Sequence, residues 1–268
     1  MTPGPGIART PLPQGFLASG VNCGVRRYRP DFGLIISDRP AVGAGVFTEN
    51  RFAAAPVHYC RSILPSASIR AIVTNSGQAN AATGPEGVEN NRQLAFEVAK
   101  ELECFPREVL IASTGVIGPQ LDMAKLVPAI PELVERATDT AENFSLAILT
   151  TDLVPKTVST ELKLSKGTVR ITGICKGSGM IHPNMATMLG YLLTDAIVPL
   201  GKAHAYLKEA VDVSFNMISV DGDSSTNDAV FLMANGASGV ALNTLEDEQK
   251  FEAALREIST LLAQSIAI

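Results

Sequence analysis

Hydrophobic positions along the chain fall into short β-like runs and longer stretches with helical spacing. The β-like runs end in Gly, Asn or Asp turns, which is typical of strands, and they cover residues 44–50, 70–77, 108–115, 168–177, 188–196 and 227–236. Other stretches place apolar residues three and four positions apart, which predicts helices over residues 88–103, 122–137 and 245–266. Strands and helices are interleaved without a strict βαβ rhythm, so we expect a layered α/β or α+β domain over residues 1–268.

The last helical stretch has the clearest pattern. Phe251, Leu255, Ile258 and Leu262 form one apolar stripe, and Thr244 stands where an N-cap is expected before an acidic first turn. The middle stretch contains two internal prolines, which remove helical hydrogen bonds, so we expect that helix to be kinked or split.

Composition and charge exclude several classes of function. The chain has 268 residues, of which 46% are hydrophobic and 18% are charged, enough for a large core. The net charge is −5 and no basic block occurs, so neither a nucleic acid nor an anionic membrane is expected as a partner. The apolar runs are far short of a bilayer span and the Pro/Gly-rich first residues resemble no signal peptide, which together predict a cytoplasmic protein.

Cysteine and histidine spacing gives no indication of a metal site. The four cysteines include no CxxC pair, which favours reduced, buried thiols: Cys23, Cys60, Cys104 and Cys175. None of the three histidines lies near a cysteine in a ligand spacing. The segment "DGDSSTND" (residues 221–228) superficially resembles a calcium loop, but Thr226 and Leu232 stand where that loop needs Gly and Glu. We therefore interpret it as a turn held by its own side chains.

Glycine follows polar residues at two strand ends, "TNSGQANAATG" (residues 74–84) and "STGVIG" (residues 113–118). A tight turn explains both segments. A Thr-Gly step at a strand end also offers a hydroxyl and a backbone N–H side by side, as an oxyanion hole requires. Thr114 and Gly115 are the candidates for that role. Lys176 follows another strand, where either a solvated lysine or a cleft-edge lysine fits the pattern.

The apolar segment "GMIHPNMATML" is interrupted by Pro183, Asn184 and the small Ala186-Thr187 step. A threonine hydroxyl is a weak nucleophile, but a threonine at a chain N-terminus has its own α-amine as a base. Such a threonine can arise within a sequence only if the precursor cleaves itself between Ala186 and Thr187. A threonine buried in a strand is the alternative interpretation.

Taken together, these segments resemble the bifunctional ornithine acetyltransferase / N-acetylglutamate synthase family of arginine biosynthesis. The resemblance runs from about Gly15 to the end of the chain and rests on "GVFTENRFAAAPV", "TNSGQANAATG", "STGVIG", "TTDLVPKT", "KGSGMIHPNMATML" and "SFNMISVDGDSSTNDAVFLMANG". Gln78 departs from it, because the family usually has Asn there. The resemblance implies a layered αββα sandwich of the ornithine acetyltransferase / DmpA-like type.

The resemblance also implies how the chain is processed. Thr187 becomes the nucleophile and the first residue of a β chain that includes residues 187–268, and residues 1–186 become the α chain. Two α and two β chains are expected to form a heterotetramer. Family members continue beyond the point that matches Ile268, so that part of the family's β chain has no counterpart here.

Individual roles follow from the same resemblance. The Thr114 side chain and the Gly115 N–H form the oxyanion hole, and Thr151, Lys176 and Thr187 contact the substrate. Thr187 takes acetyl from N-acetylornithine, releases ornithine and passes the acetyl group to glutamate. Some family members also accept acetyl-CoA as a co-substrate, and no cofactor or metal is implied.

Two other functions stay open at this point. An amidase or aminopeptidase with an N-terminal nucleophile shares the threonine chemistry but transfers the acyl group to water. A non-catalytic relative would keep the fold and lose turnover.

Overall fold

The computed structural model describes residues 9–178, 188–218 and 225–267. Its strands are β1 Phe16–Val21, β2 Phe32–Phe47, β3 Ser66–Gln78, β4 Val109–Val116, β5 Lys156–Leu164, β6 Gly167–Lys176, β7 Leu189–Thr194 and β8 Ala229–Ala234. Its helices are α1 Ala55–Arg61, α2 Gly84–Glu101, α3 Met123–Leu126, α4 Ile130–Glu135, α5 Glu142–Ala147, α6 Leu200–Asp212 and α7 Leu245–Ala267. The strands are hydrogen-bonded in the order β4-β3-β2-β8-β7-β6-β5, and β1 pairs with β2.

Strand β2 belongs to two layers of the structure. Its first residues pair with β1 and β3, and the pairing with β3 continues as far as Gly43, whereas residues from Val42 to Phe47 pair with β8. Between these halves the register with β3 shifts twice, around Ala41. Such irregularities bend a strand and increase its twist. The sheet therefore folds over at β2, with β1 to β4 in one layer and β5 to β8 in the other.

The buried side chains show how these layers are stacked. Residues from both layers form one apolar cluster, which includes Leu110 of β4 and Phe231 of β8. Helix α2 covers the outer face of the first layer, and α6 and α7 cover the outer face of the second. The Tyr191 hydroxyl of the second layer hydrogen-bonds to Thr74 Oγ1 of the first at 2.9 Å. The result is a four-layer αββα sandwich, which confirms the predicted fold class.

All the strands and helices that the sequence pattern predicts occur in the structure. The proline-containing helix is split into α3 and α4, as expected, by a 3-10 turn over Val127–Ala129. Thr244 caps α7, because its Oγ1 accepts the Asp247 N–H at 3.0 Å. The pattern did not predict β1, β5, the first half of β2, or helices α1, α5 and α6. Within the described ranges, no helix combines the length and apolar character needed to cross a membrane.

Candidate active site

Thr114 and Gly115 lie at the end of β4, where it runs parallel to β3. Gly115 is opposite Gly77 in the register, and its φ of +133° is one that favours glycine. A Cβ at Gly115 would lie 2.3 Å from the carbonyl carbon of Gly77. The glycine is therefore required by a close approach of two backbones, directly beside Thr114.

Lys176 is the last residue of β6, in the opposite layer, and its side chain crosses to β4. Its Nζ donates a hydrogen bond to Thr114 Oγ1 at 3.2 Å, and only 2% of the residue is exposed. The interpretation of Lys176 as a solvated lysine is therefore wrong. The structure brings three of the predicted site residues, Thr114, Gly115 and Lys176, to one edge of the sandwich.

Two carboxylates and a second lysine surround Lys176. Asp152 Oδ1 accepts the Gly177 N–H at 2.7 Å and binds Lys156 Nζ at 2.8 Å. Burial lowers the pKa of Lys176, while the charges of Asp152 and Asp228 act in the opposite direction. Burial of Asp152 favours its neutral form, but Lys176, Lys156 and the Gly177 N–H hold its pKa below the ordinary value. The site therefore holds opposite charges in a buried setting.

Asp228 lies just before β8 and holds the start of β7. Its Oδ1 accepts the N–H of Met188 at 2.9 Å, and burial raises its pKa to about 7. In the pairing of β6 with β7, Lys176 is opposite Leu189. Met188, which directly follows Thr187 in the sequence, is thus at the same edge as Lys176. Ala186 and Thr187 themselves lie outside the described residues, so the nucleophile and the cleavage site stay predictions.

Thr151 lies in the loop between α5 and β5. Its side chain is exposed, and its Oγ1 is 2.6 Å from Ser178 Oγ. Arg26 donates to the carbonyl oxygen of Leu149 and, at 3.3 Å, to that of Thr150, so the loop is fixed from its other side. Thr151 therefore contacts Ser178, which lies two residues after Lys176 in the sequence.

Sequence reasoning missed three polar residues of this site: Asp152, Asn227 and Asp228. The Asn227 amide donates to the carbonyl oxygens of Ala79, at 2.5 Å, and Ser113, at 2.8 Å, and so joins the ends of β3 and β4 to the start of β8. The only signal for these residues was their place in "TTD" and "DGDSSTND". The turn interpretation of the second segment holds for its described part, since the Asn227 N–H donates to Ser225 Oγ.

The described residues give no indication of a metal centre, because none of their His, Cys, Asp and Glu side chains form a group of three or more that could hold an ion. They do bring together several hydrogen-bond donors, Thr114, Gly115 and Lys176, at the end of β4. A hydroxyl, a backbone N–H and an ammonium group can stabilise a developing negative charge in a water-poor setting.

Comparison with known sequences finds a matching family. The model of the ArgJ family matches residues 17–268. The arginine biosynthesis bifunctional protein ArgJ of Chlorobaculum tepidum is 45% identical over 261 residues, which make up 96% of this chain and 64% of that protein. The chain thus spans just under two thirds of the length of that relative.

Solved structures agree on the architecture. The crystal structure of an ornithine acetyltransferase from Mycobacterium tuberculosis, complexed with ornithine, is 34% identical with a TM-score of 0.60, and the match covers 65% of this chain and 94% of that one. A β-aminopeptidase from a Burkholderia species shares the fold, with 13% identity, a TM-score of 0.61, and coverage of 96% of this chain and 87% of that one. The expected likeness to the ornithine acetyltransferase and aminopeptidase fold is confirmed.

Proposed function

The chain belongs to the ArgJ family, and from this we propose that the protein transfers acetyl from N-acetylornithine to glutamate, giving ornithine and N-acetylglutamate. The reaction is one step of arginine biosynthesis, the process named in its relatives. Support for the substrate comes from the ornithine bound to the related acetyltransferase.

One structural observation supports this proposal most strongly. Met188 is held by Asp228 at the edge of the sandwich where Lys176 meets Thr114. Met188 directly follows the proposed nucleophile, Thr187, in the sequence. This observation supports a threonine nucleophile at position 187 beside the proposed oxyanion hole.

The proposed chemistry uses each group once per half-reaction. After cleavage, the Thr187 α-amine takes the hydroxyl proton while Oγ1 attacks the acetyl carbonyl of N-acetylornithine. The carbonyl oxygen becomes an oxyanion, which accepts hydrogen bonds from the Thr114 hydroxyl and the Gly115 N–H. Collapse of this intermediate protonates and releases the ornithine amine and leaves an acetyl ester on Thr187. The amine of glutamate attacks this ester in the same way and leaves as N-acetylglutamate.

Further parts of the proposal concern ligands and assembly. Thr151 and Lys176 are the proposed substrate contacts on the α chain, and acetyl-CoA is a proposed alternative acetyl donor. We propose no cofactor and an assembly of two α and two β chains. A cytoplasmic location is supported by the four cysteines, which are all free thiols, two of them buried and two half-buried.

Processing and transfer are tested together on the purified protein. Mass spectrometry should find a break between Ala186 and Thr187, which Thr187→Ala should abolish and the matched Thr187→Ser should retain. Circular dichroism should show that an uncut variant is folded. A break elsewhere in the wild type would remove Thr187 as the nucleophile.

The products distinguish a transferase from a hydrolase. With N-acetylornithine and glutamate, the wild type should form N-acetylglutamate and ornithine in equal amounts. Glutamate can compete with water if its amine is held in the attacking position, since effective molarities reach about 10⁵ M or more. Release of mostly free acetate in the presence of glutamate would instead indicate an amidase.

A further inference from the structure

Asp152 joins the parts of the site that lie on different elements. We propose that Asp152 is a positioning residue, which fastens the Thr151 loop to the end of β6 and holds Lys176 as the ammonium donor to Thr114. This inference rests on the proposed acetyl transfer for its catalytic meaning, although the contacts themselves do not depend on it.

The contacts of Asp152 connect both sides of Thr151 to β6. The residue is 1% exposed. Its Oδ1 accepts the N–H of Gly177, the residue after Lys176, and its Oδ2 accepts the N–H of Thr150 at 3.3 Å. One carboxylate therefore sets the position of the loop that carries Thr151 relative to the strand end that carries Lys176.

The hydrogen bond between Lys176 and Thr114 has a direction that matters for the oxyanion. A lysine ammonium has three donors and no acceptor, so Thr114 Oγ1 must be the acceptor. The Thr114 hydroxyl proton then points away from Lys176 and is available to an oxyanion. A neutral Lys176 amine would have a lone pair, and it could accept the Thr114 proton and withdraw it from the oxyanion. The arrangement works only while Lys176 is charged.

The charge of Lys176 depends on the groups that face it. Asp152 and Asp228 favour the ammonium form, whereas burial and the nearby charge of Lys156 disfavour it. Cys175 adds no charge at neutral pH, because burial raises the pKa of its thiol to about 12. Removing the charge of Asp152 should therefore lower the pKa of Lys176, and removing the charge of Lys156 should raise it.

These opposite signs provide a matched pair of variants, Asp152→Asn and Lys156→Gln, in the complete protein. Both remove the same buried ion pair, so loss of that pair alone would not move the pH profile in opposite directions. The first should move the alkaline limb of the kcat–pH profile to lower pH by about one unit or more, as expected for loss of a nearby opposite charge. The second should move that limb to higher pH. The KM for glutamate should change less than kcat in both variants.

A second measurement does not require activity. The ¹³Cε resonance of Lys176, assigned with Lys176→Arg, reports its protonation directly, and its titration should move in the same two directions. The positioning role would be overturned if the alkaline limb of the kcat–pH profile and the titration of Lys176 did not move. It would also be overturned if they moved in the same direction in both variants. If Asp152→Asn does not fold, Lys156→Gln alone tests the proposal, because its alkaline limb and the titration of Lys176 must both move to higher pH. A wild type that transfers no acetyl, but whose Lys176 titration shifts as expected, would refute the proposed function and retain the positioning.

Discussion

Replacement of Gly115 by alanine should remove a large part of the protein's stability, because two separate penalties act at this position. The residue has a φ of +133°, a backbone conformation that side chains with a Cβ rarely adopt. The added Cβ would also lie 2.3 Å from the carbonyl carbon of Gly77 and 2.6 Å from the nitrogen of Gln78. These are backbone atoms of β3, so no side-chain rotation can relieve the contact.

Both penalties can be given a magnitude. A non-glycine residue in such a backbone region costs about 1–3 kcal/mol. Forcing extra atoms into a packed region costs about 1–3 kcal/mol more through shifts of the surrounding structure. The sum of about 2–6 kcal/mol is a substantial part of the roughly 5–15 kcal/mol by which domains are stable.

Gly118→Ala is the matched control for this prediction. Gly118 has a φ of +108°, but a Cβ there would meet nothing within 4 Å. It should therefore show the backbone penalty alone, about 1–3 kcal/mol. The difference in the free energy of unfolding between the two variants, measured by urea denaturation with an unchanged m-value, isolates the steric contact with β3.

The comparison of Gly115→Ala with Gly118→Ala can also contradict the structure. If both variants lose the same free energy of unfolding, β3 does not approach Gly115 as closely as the structure has it. The position of the β4 backbone at Thr114 and Gly115, and with it the proposed oxyanion hole, would then lose its structural basis. Gly115→Ala should also lower kcat more than Gly118→Ala does, because only the first displaces the residue next to Thr114.

Two further predictions concern the site. Thr114→Ala should lower kcat by about 10²–10³ with little change in KM, because the donor acts on charge that develops in the transition state. The control variant Thr114→Ser should retain most activity. If Thr114→Ala loses only substrate affinity, Thr114 belongs to the binding pocket instead. Asp228 has a pKa of about 7 in the folded protein, above the roughly 3.9 of an unfolded Asp, so its contribution to stability is present below about pH 4 and is lost as the pH rises through about 7. Asp228→Asn should not show this loss. Its free energy of unfolding, relative to that of the wild type, should therefore rise between those pH values by about 1.4 kcal/mol per pKa unit. If urea denaturation gives the same difference in unfolding free energy at every pH, the pKa of Asp228 is not raised.

The strands that the sequence predicts and those it misses differ in their surroundings. Strands such as β7 and β8 are buried at every position and so form unbroken apolar runs between turn residues. Strand β5 is at the edge of the sheet, and every position between its two buried end residues is half-buried or exposed, most of them polar. The first half of β2 is followed by "SDRP", which has the composition of a turn. In the structure those residues lie within the strand, at its bend.

The site residues differ in the same way. Thr114 and Gly115 can be found from sequence because an oxyanion hole needs a local pair. The amide of Asn227 has no such local signal, since its partner Ser113 is 114 positions away. Asp152 and its partner Gly177 are 25 positions apart. A polar residue in a turn-like segment is indistinguishable from a turn residue until the fold supplies its partners.

The bend in β2 is what creates the candidate active site. Along the hydrogen-bonded order of the sheet, β4 and β6 are separated by five strand spacings. In a flat sheet this would place them about 24 Å apart, at about 4.8 Å per spacing, far beyond the length of a lysine side chain. Stacked layers are only about 10 Å apart, and Lys176 Nζ can then lie 3.2 Å from Thr114 Oγ1. The contact therefore exists only when the two layers are stacked in the right register, so β4 alone supplies Thr114 and Gly115, but the packing of the core brings Lys176 to Thr114.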